Sequence, residues 1–229
     1  MTTSLNYAPI TQAPVRLWPL ALGAAVVTVG TFVQLTGQWL ALFAHSTAMW
    51  QLARLNTMLV NDLAVLAAVP LLAFALPREG GWTGRWKMIV CLILAGLRPL
   101  IRAAGGTFSM TAHSAAWNPL LDAMSALSLL LQLALLISAG IYLAMVATRL
   151  QRQALAVIAA CALAPCVLYT AASLAYEVMF WLAIHRGYSI NVSVAKIYST
   201  SYALNLIWHF LVWLAIALYA GILALRKAR

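Results

Sequence analysis

The sequence predicts an all-α integral membrane protein, a bundle of six transmembrane helices with both termini cytoplasmic. Three observations lead there. Of 229 residues, 65% are hydrophobic and 8% charged, with a mean hydropathy of +0.93, whereas soluble domains carry roughly 25% charged residues. The apolar residues gather into six runs, each long enough as a helix to cross a hydrocarbon core of about 30 Å. Basic residues cluster beside alternate ends of those runs, as retention of Lys and Arg in the cytoplasm requires. Disordered, collagen-like and disulfide-scaffold classes fail on the same composition. A transmembrane β-barrel fails because the runs lack two-residue alternation and are too long for tilted strands.

Residues 1–16 form a short polar tail with Pro9 and Pro14. They do not read as a signal peptide, because the apolar run behind them is about twice as long as an h-region. Helix one is expected at Leu17–Ala44. Its Gly23, Gly30 and Gly37 recur every seven residues, a stripe where a second backbone can approach closely, either within the chain or across a homodimer seam. Gln34 shares that face. Helix two, Met58–Leu76, carries Asp62. Helix three, Met88–Ala104, is the shortest run and holds Arg98 and Arg102 around Pro99. Helix four, Pro119–Ala147, carries Asp122 near its start. Helix five, Ala154–Ile184, carries Glu177 late, and helix six, Ala203–Leu225, carries Asn205 and His209 early. No connection is long enough for a soluble domain, so residues 17–229 make one membrane domain. The longest outer connections, Gly105–Asn118 and His185–Tyr202, have room for a short interfacial helix or a lid. Asn191-Val192-Ser193 in the second matches a glycosylation acceptor.

The basic residues set orientation. Arg16, Arg78, Arg85, Lys87, Arg149, Arg152, Arg226, Lys227 and Arg229 lie on the side of the termini, against Arg54, Arg186 and Lys196 on the other. Both termini are therefore expected in the cytoplasm, and a bacterial inner membrane is the expected location. Trp39, Trp50, Trp117 and Trp181 then fall near the outer interface, and Trp18, Trp82 and Trp86 near the inner. The net charge of +10 reads as topology signal and contact with the lipid bilayer. Its dispersal between helices argues against nucleic acid as a partner.

The chain has four acids, Asp62, Glu79, Asp122 and Glu177, and three of them lie within predicted spans. Ionisable groups at the centre of a bilayer cost roughly 2.5–3.5 kcal/mol each on insertion scales, so they pair or face a cavity. Measured at about 1.5 Å per residue from the nearest cytoplasmic basic residue, Arg98, Arg102, Asp62, His209 and Gln34 lie about 16–27 Å up, and Glu177 and Asp122 about 37–40 Å. The cytoplasmic half of every helix is almost purely apolar. Arg98 with Arg102, Asn205 with His209, and Ser173 with Glu177 are spaced i, i+4 and share a face. These positions predict a polar pocket opening outward, with Arg98 and Asp62 as an ion pair. The alternative is pairing that only fixes helix register.

No catalytic signature appears. The sequence has no GxSxG elbow, Walker A loop or HExxH motif. Cys161 and Cys166 lack the CxxC spacing of redox or zinc sites, and the four histidines lack ligand spacing, so no metal and no cofactor are expected. The leading expectation is a transporter- or permease-like protein that binds or passes a small polar or ionic solute. Its substrate-binding residues would be Arg98, Arg102, Asp62, His209, Gln34, Glu177, Asp122 and Asn205. Two other classes fit the same pattern: an accessory, assembly or immunity-type subunit that binds a membrane protein partner, and an intramembrane enzyme acting on a lipid or lipid-linked substrate.

Overall fold

The computed structural model describes residues 15–41, 47–76, 82–111, 119–150, 153–185 and 192–228. Among them the regular structure is entirely α-helical: α1 (Leu17–Ala41), α2 (Thr47–Ala75), α3 (Trp82–Thr111), α4 (Pro119–Arg149), α5 (Gln153–His185) and α6 (Val192–Ala228). Each helix packs against the next, and α6 returns to α1, so the six close into a ring in chain order. Neighbours run antiparallel. Gly23 lies against Leu72 and Gly37 against Thr57, Arg98 meets Gln132 while Arg102 meets Ser128, and Gly140 faces Leu163 while Ser125 meets Glu177. The up-and-down order brings both chain ends to one end of the ring, called proximal below. The opposite end is called distal.

Among the described residues, five segments are long and apolar enough to cross a membrane: Leu17–Leu40, Leu55–Ala75, Ala123–Thr148, Ala159–Met179 and Ser201–Lys227. Helix α3 is not among them, and its apolar stretch carries Arg98 and Arg102. The outward surface is apolar around the ring, with Val29, Leu63, Leu100, Ile141, Leu168 and Leu204 all exposed. A belt of that kind suits hydrocarbon and would drive aggregation in water.

Several helices outrun the apolar runs. Against the expected 58–76, 88–104 and 203–225, α2 starts at Thr47, α3 covers Trp82–Thr111 and α6 starts at Val192. Hydropathy reports the part of a helix suited to hydrocarbon, whereas the i→i−4 bonding of the backbone continues into polar flanks at no cost. Much of the two long outer connections is therefore continuous helix: Gly105–Thr111 belongs to α3, and Val192–Tyr202 to α6. Asn191 lies outside the described residues.

The glycine stripe of α1 is occupied from within the chain, by α2. A Cβ at Gly30 would collide with the Ala64 side chain and reach within 3.3 Å of the Asn61 Cα, and one at Gly37 would collide with Thr57. The close approach these glycines permit makes α1 and α2 the most intimately packed pair in the ring. The proximal end of this pair is capped from outside. Helix α2 ends at Ala75, so its last carbonyls have no intrahelical donor. The Arg16 amide donates to the Ala75 carbonyl (2.8 Å), and the Tyr142 hydroxyl of α4 donates to the Leu72 carbonyl (2.6 Å). Around them Val15, Leu20, Ala21, Ala75, Val146 and Ala220 form an apolar cluster. A second cluster joins Leu136, Leu143, Ala159, Leu163, Cys166 and Val212. The proximal half of the ring interior is thus filled with hydrocarbon side chains.

Replacing Gly30 with Ala is expected to destabilise the protein by about 1–3 kcal/mol, because backbone and Ala64 must both give way. Gly221 has nothing within 4 Å of a built Cβ, and its replacement by Ala is expected to be neutral or stabilising by up to about 1 kcal/mol through helix propensity. Thermal unfolding of the two variants in detergent measures the difference, and equal midpoints would contradict the close α1–α2 seam.

Candidate functional site

The distal half of the ring interior is polar. Its centre is the Asp62 carboxylate of α2, whose side chain has 0% exposure. Two arginines of α3 close on it. Arg98 Nη1 lies 3.2 Å from Oδ1 and Arg102 Nη1 lies 3.1 Å from Oδ2, with Arg102 Nη1 also donating to Oδ1 at 3.3 Å. The spacing of the arginines, one helical turn apart on one face, lets both reach the same acid. Helix α4 completes the cage: Arg98 Nη2 donates to Gln132 Oε1 (2.7 Å), and Arg102 Nε donates to Ser128 Oγ (3.3 Å).

This cage leaves two mismatches. The contact between Arg102 and Asp62 Oδ2 is an ion pair without hydrogen-bond geometry, and Arg98 Nε is buried with no acceptor among the described residues. The ion pairs also set two guanidinium groups against one carboxylate. Pro99 follows Arg98 directly inside α3 and removes the amide that would bond the Ala95 carbonyl, loosening the helix beside the cage.

A second network continues from the neighbouring residue of α2. Asn61 Nδ2 donates to Gln34 Oε1 (2.6 Å), and Gln34 Nε2 donates to the Tyr202 hydroxyl of α6 (2.6 Å). Thr31 Oγ approaches Asn61 Oδ1 at 3.4 Å. The Tyr202 ring lies 6.3 Å from that of Tyr169 on α5, centroid to centroid. Further down α6, Trp213 Nε1 donates to His209 Nε2 (3.1 Å). Most hydroxyls in the bundle take no part in such links. Thr28, Ser138, Thr148, Thr170 and Ser173 donate to carbonyls four residues earlier in their own helices, which satisfies them locally. The links between helices come mainly from guanidinium, carboxylate, amide and phenol groups, joined by the hydroxyls of Ser125 and Ser128.

Of the eight residues expected at the site, Asp62, Arg98 and Arg102 meet directly and Gln34 joins the adjoining network. His209 is half-buried on α6, close enough to Arg98 to feel its charge. Asn205 is half-buried between Tyr202 and His209 on the same helix. Glu177 accepts from Ser125 Oγ at 3.4 Å, about one helical turn beyond Ser128 along α4. The Asp122 side chain lies outside the described residues. The open outer mouth expected from the sequence is not what the cage presents: at Asp62, Arg98 and Arg102 the side chains are 0%, 8% and 14% exposed. In a low dielectric, two arginines draw in around the one acid instead of lining a vestibule.

Sequence reasoning missed Asn61, Ser128, Gln132 and Tyr202. A signal for Asn61 existed, since it is an amide beside Asp62 within the apolar run of α2. Gln132 is the one amide inside the apolar run of α4. Compared with protein families, curated proteins and solved structures, the chain matches none.

Asp62→Ala leaves two buried arginines without a counter-charge and is expected to cost about 3–5 kcal/mol, the range for breaking a buried pair from one side. Adding Arg102→Met to that variant removes one of the stranded charges and is expected to recover part of the loss. Unfolding midpoints of the single and double variants in detergent test this, and a double variant less stable than the single would contradict the shared-acid geometry.

Proposed function

We propose that the chain crosses a membrane six times, α3 included, with both termini in the cytoplasm, and that the polar core in its outer half binds and passes a small polar or ionic solute. In this reading the protein is permease-like and sits in a bacterial inner membrane. The observation that carries it is the segregation of the interior. Gln34, Asn61, Asp62, Arg98 and Ser128 are buried in the distal half, while the proximal half is closed by apolar clusters. Intramembrane ionisable groups that face a bundle interior are a mark of solute handling.

Inclusion of α3 among the spans is supported by its two faces. Its arginines point into the ring, while Ile89, Val90, Ile93, Leu97 and Leu100 are exposed outward. A helix that carries two arginines can cross hydrocarbon when those charges are inward and paired. The cytoplasmic placement of the termini is supported by the proximal basic residues, among them the exposed Arg16, Lys87, Arg226 and Lys227.

Thiol accessibility tests both halves of the proposal. In a background with Cys91, Cys161 and Cys166 replaced by Ala, Gln38→Cys and Asn205→Cys are expected to react with a small water-soluble thiosulfonate added from the outside. Val146→Cys and Ala220→Cys are expected to resist it. Equal inertness at both depths would refute an outer polar core that admits solute. A reporter active only outside the cytoplasm, fused after Arg229, is expected to stay silent.

A further inference from the structure

Among the described residues, three donors that surround the charge of Arg98 lack an acceptor. Tyr202 accepts a hydrogen bond from Gln34, which leaves its own O–H to donate, and no acceptor for it exists among the described residues. His209 Nε2 accepts from Trp213, so the neutral ring carries its hydrogen on Nδ1, again with no acceptor among the described residues. Arg98 is 6% exposed, and its Nε is a third donor without an acceptor. These donors belong together. Tyr202 and His209 are seven residues apart on α6 and share a face, and both lie within range of the Arg98 charge. Asn205, between them at i+3 and i+7−4, falls on the same stripe.

Charge points the same way. Arg98 and Arg102 share one carboxylate, and Asp62 is the one acid whose charge reaches Arg98 among the described residues. With His209 neutral, the cluster carries a surplus of one positive charge inside a hydrophobic bundle. A single negative charge offsets that surplus, whereas a double one would reverse it and leave an equal field of opposite sign.

We infer that the distal half of the ring binds a small monovalent anion between α3 and α6, held by Arg98 Nε, the Tyr202 hydroxyl and His209 Nδ1. The inference rests on the solute-handling reading above and specifies its ligand: a halide, nitrate or short carboxylate. A lipid phosphate is the wrong shape, because its acyl chains would have to thread the ring interior, away from the lipid-facing surface.

The test uses the full chain in a non-ionic maltoside detergent, at constant ionic strength in potassium gluconate, whose anion is bulky. Bromide, nitrate, formate or sulfate replaces gluconate stepwise, and the unfolding temperature is read. The monovalent anions are expected to raise it with saturation, and sulfate to act without saturation, as an excluded salt does. Tyr202→Phe and Arg98→Lys, which each delete a donor while the second keeps the charge, are expected to raise the half-saturating concentration about tenfold or more. If Arg98→Lys does not fold, Tyr202→Phe alone decides. Absence of saturation with every monovalent anion, or saturation that Tyr202→Phe leaves unchanged, would overturn the inference. Saturable stabilisation by a neutral or cationic solute instead would overturn the anion assignment and leave the solute-handling reading intact. Failure of the distal cysteines to react would remove that reading itself.

Discussion

The distal structure depends on one constraint: a carboxylate sealed inside an apolar bundle must be answered entirely by protein groups. Asp62 has no access to solvent, and the answer comes from α3, whose two arginines are in turn held by Gln132 and Ser128 of α4. Adjacent residues of a helix point about 100° apart, so Asn61 faces the other way, toward α1 and through Gln34 to α6. Helix α2 is therefore the node from which polar links run both ways around the ring. Five of the six helices are tied into position by groups that radiate from two neighbouring residues.

Much of this was legible in the sequence, for reasons that can be stated residue by residue. Apolar runs of bilayer length identified the helices, and the rarity of charge inside them isolated Asp62, Arg98 and Arg102 without knowledge of the fold. What hydropathy does not carry is the end of a helix, because hydrogen bonding along the backbone is indifferent to the solvent around its flanks. Thus Thr47–Asn56 and Val192–Tyr202 continue α2 and α6 into stretches that read as connections. Neutral polar residues were the other loss. Tyr202 is nearly neutral on a hydropathy scale and Gln132 carries no charge, yet one accepts from Gln34 and the other from Arg98.

The closed order of the ring was not legible at all. In water, the inner face of a helix is marked by contrast, apolar inside and polar outside. In lipid both faces are apolar, and only small residues, prolines and the rare polar groups distinguish them. The glycine stripe of α1 is such a mark, and it did identify a face in contact with protein. Helices α4 and α5, with few such marks, give the sequence little to say about which neighbours they take.

The two halves of the interior also differ in how they can move. The distal half is held by directional bonds between long side chains, so it must break specific contacts to change. The proximal half is held by small apolar residues: Ala24, Ala68, Ala75, Ala147 and Ala220 are almost fully buried, and helices that meet on alanine have little side-chain interlock to undo. Prolines lie where such motion would concentrate. Pro70 and Pro165 interrupt α2 and α5 within the apolar half, and Pro99 interrupts α3 at the cage. Each removes one backbone hydrogen bond, from the carbonyls of Leu66, Cys161 and Ala95, so a bend there sacrifices no bond that the straight helix possessed. Any separation of the proximal helices would thus proceed by parting alanine-lined seams about these prolines. The cage around Asp62 would meanwhile keep the distal ends of α2, α3 and α4 together. A ring built this way combines a polar end fixed by directional bonds with a more separable apolar one.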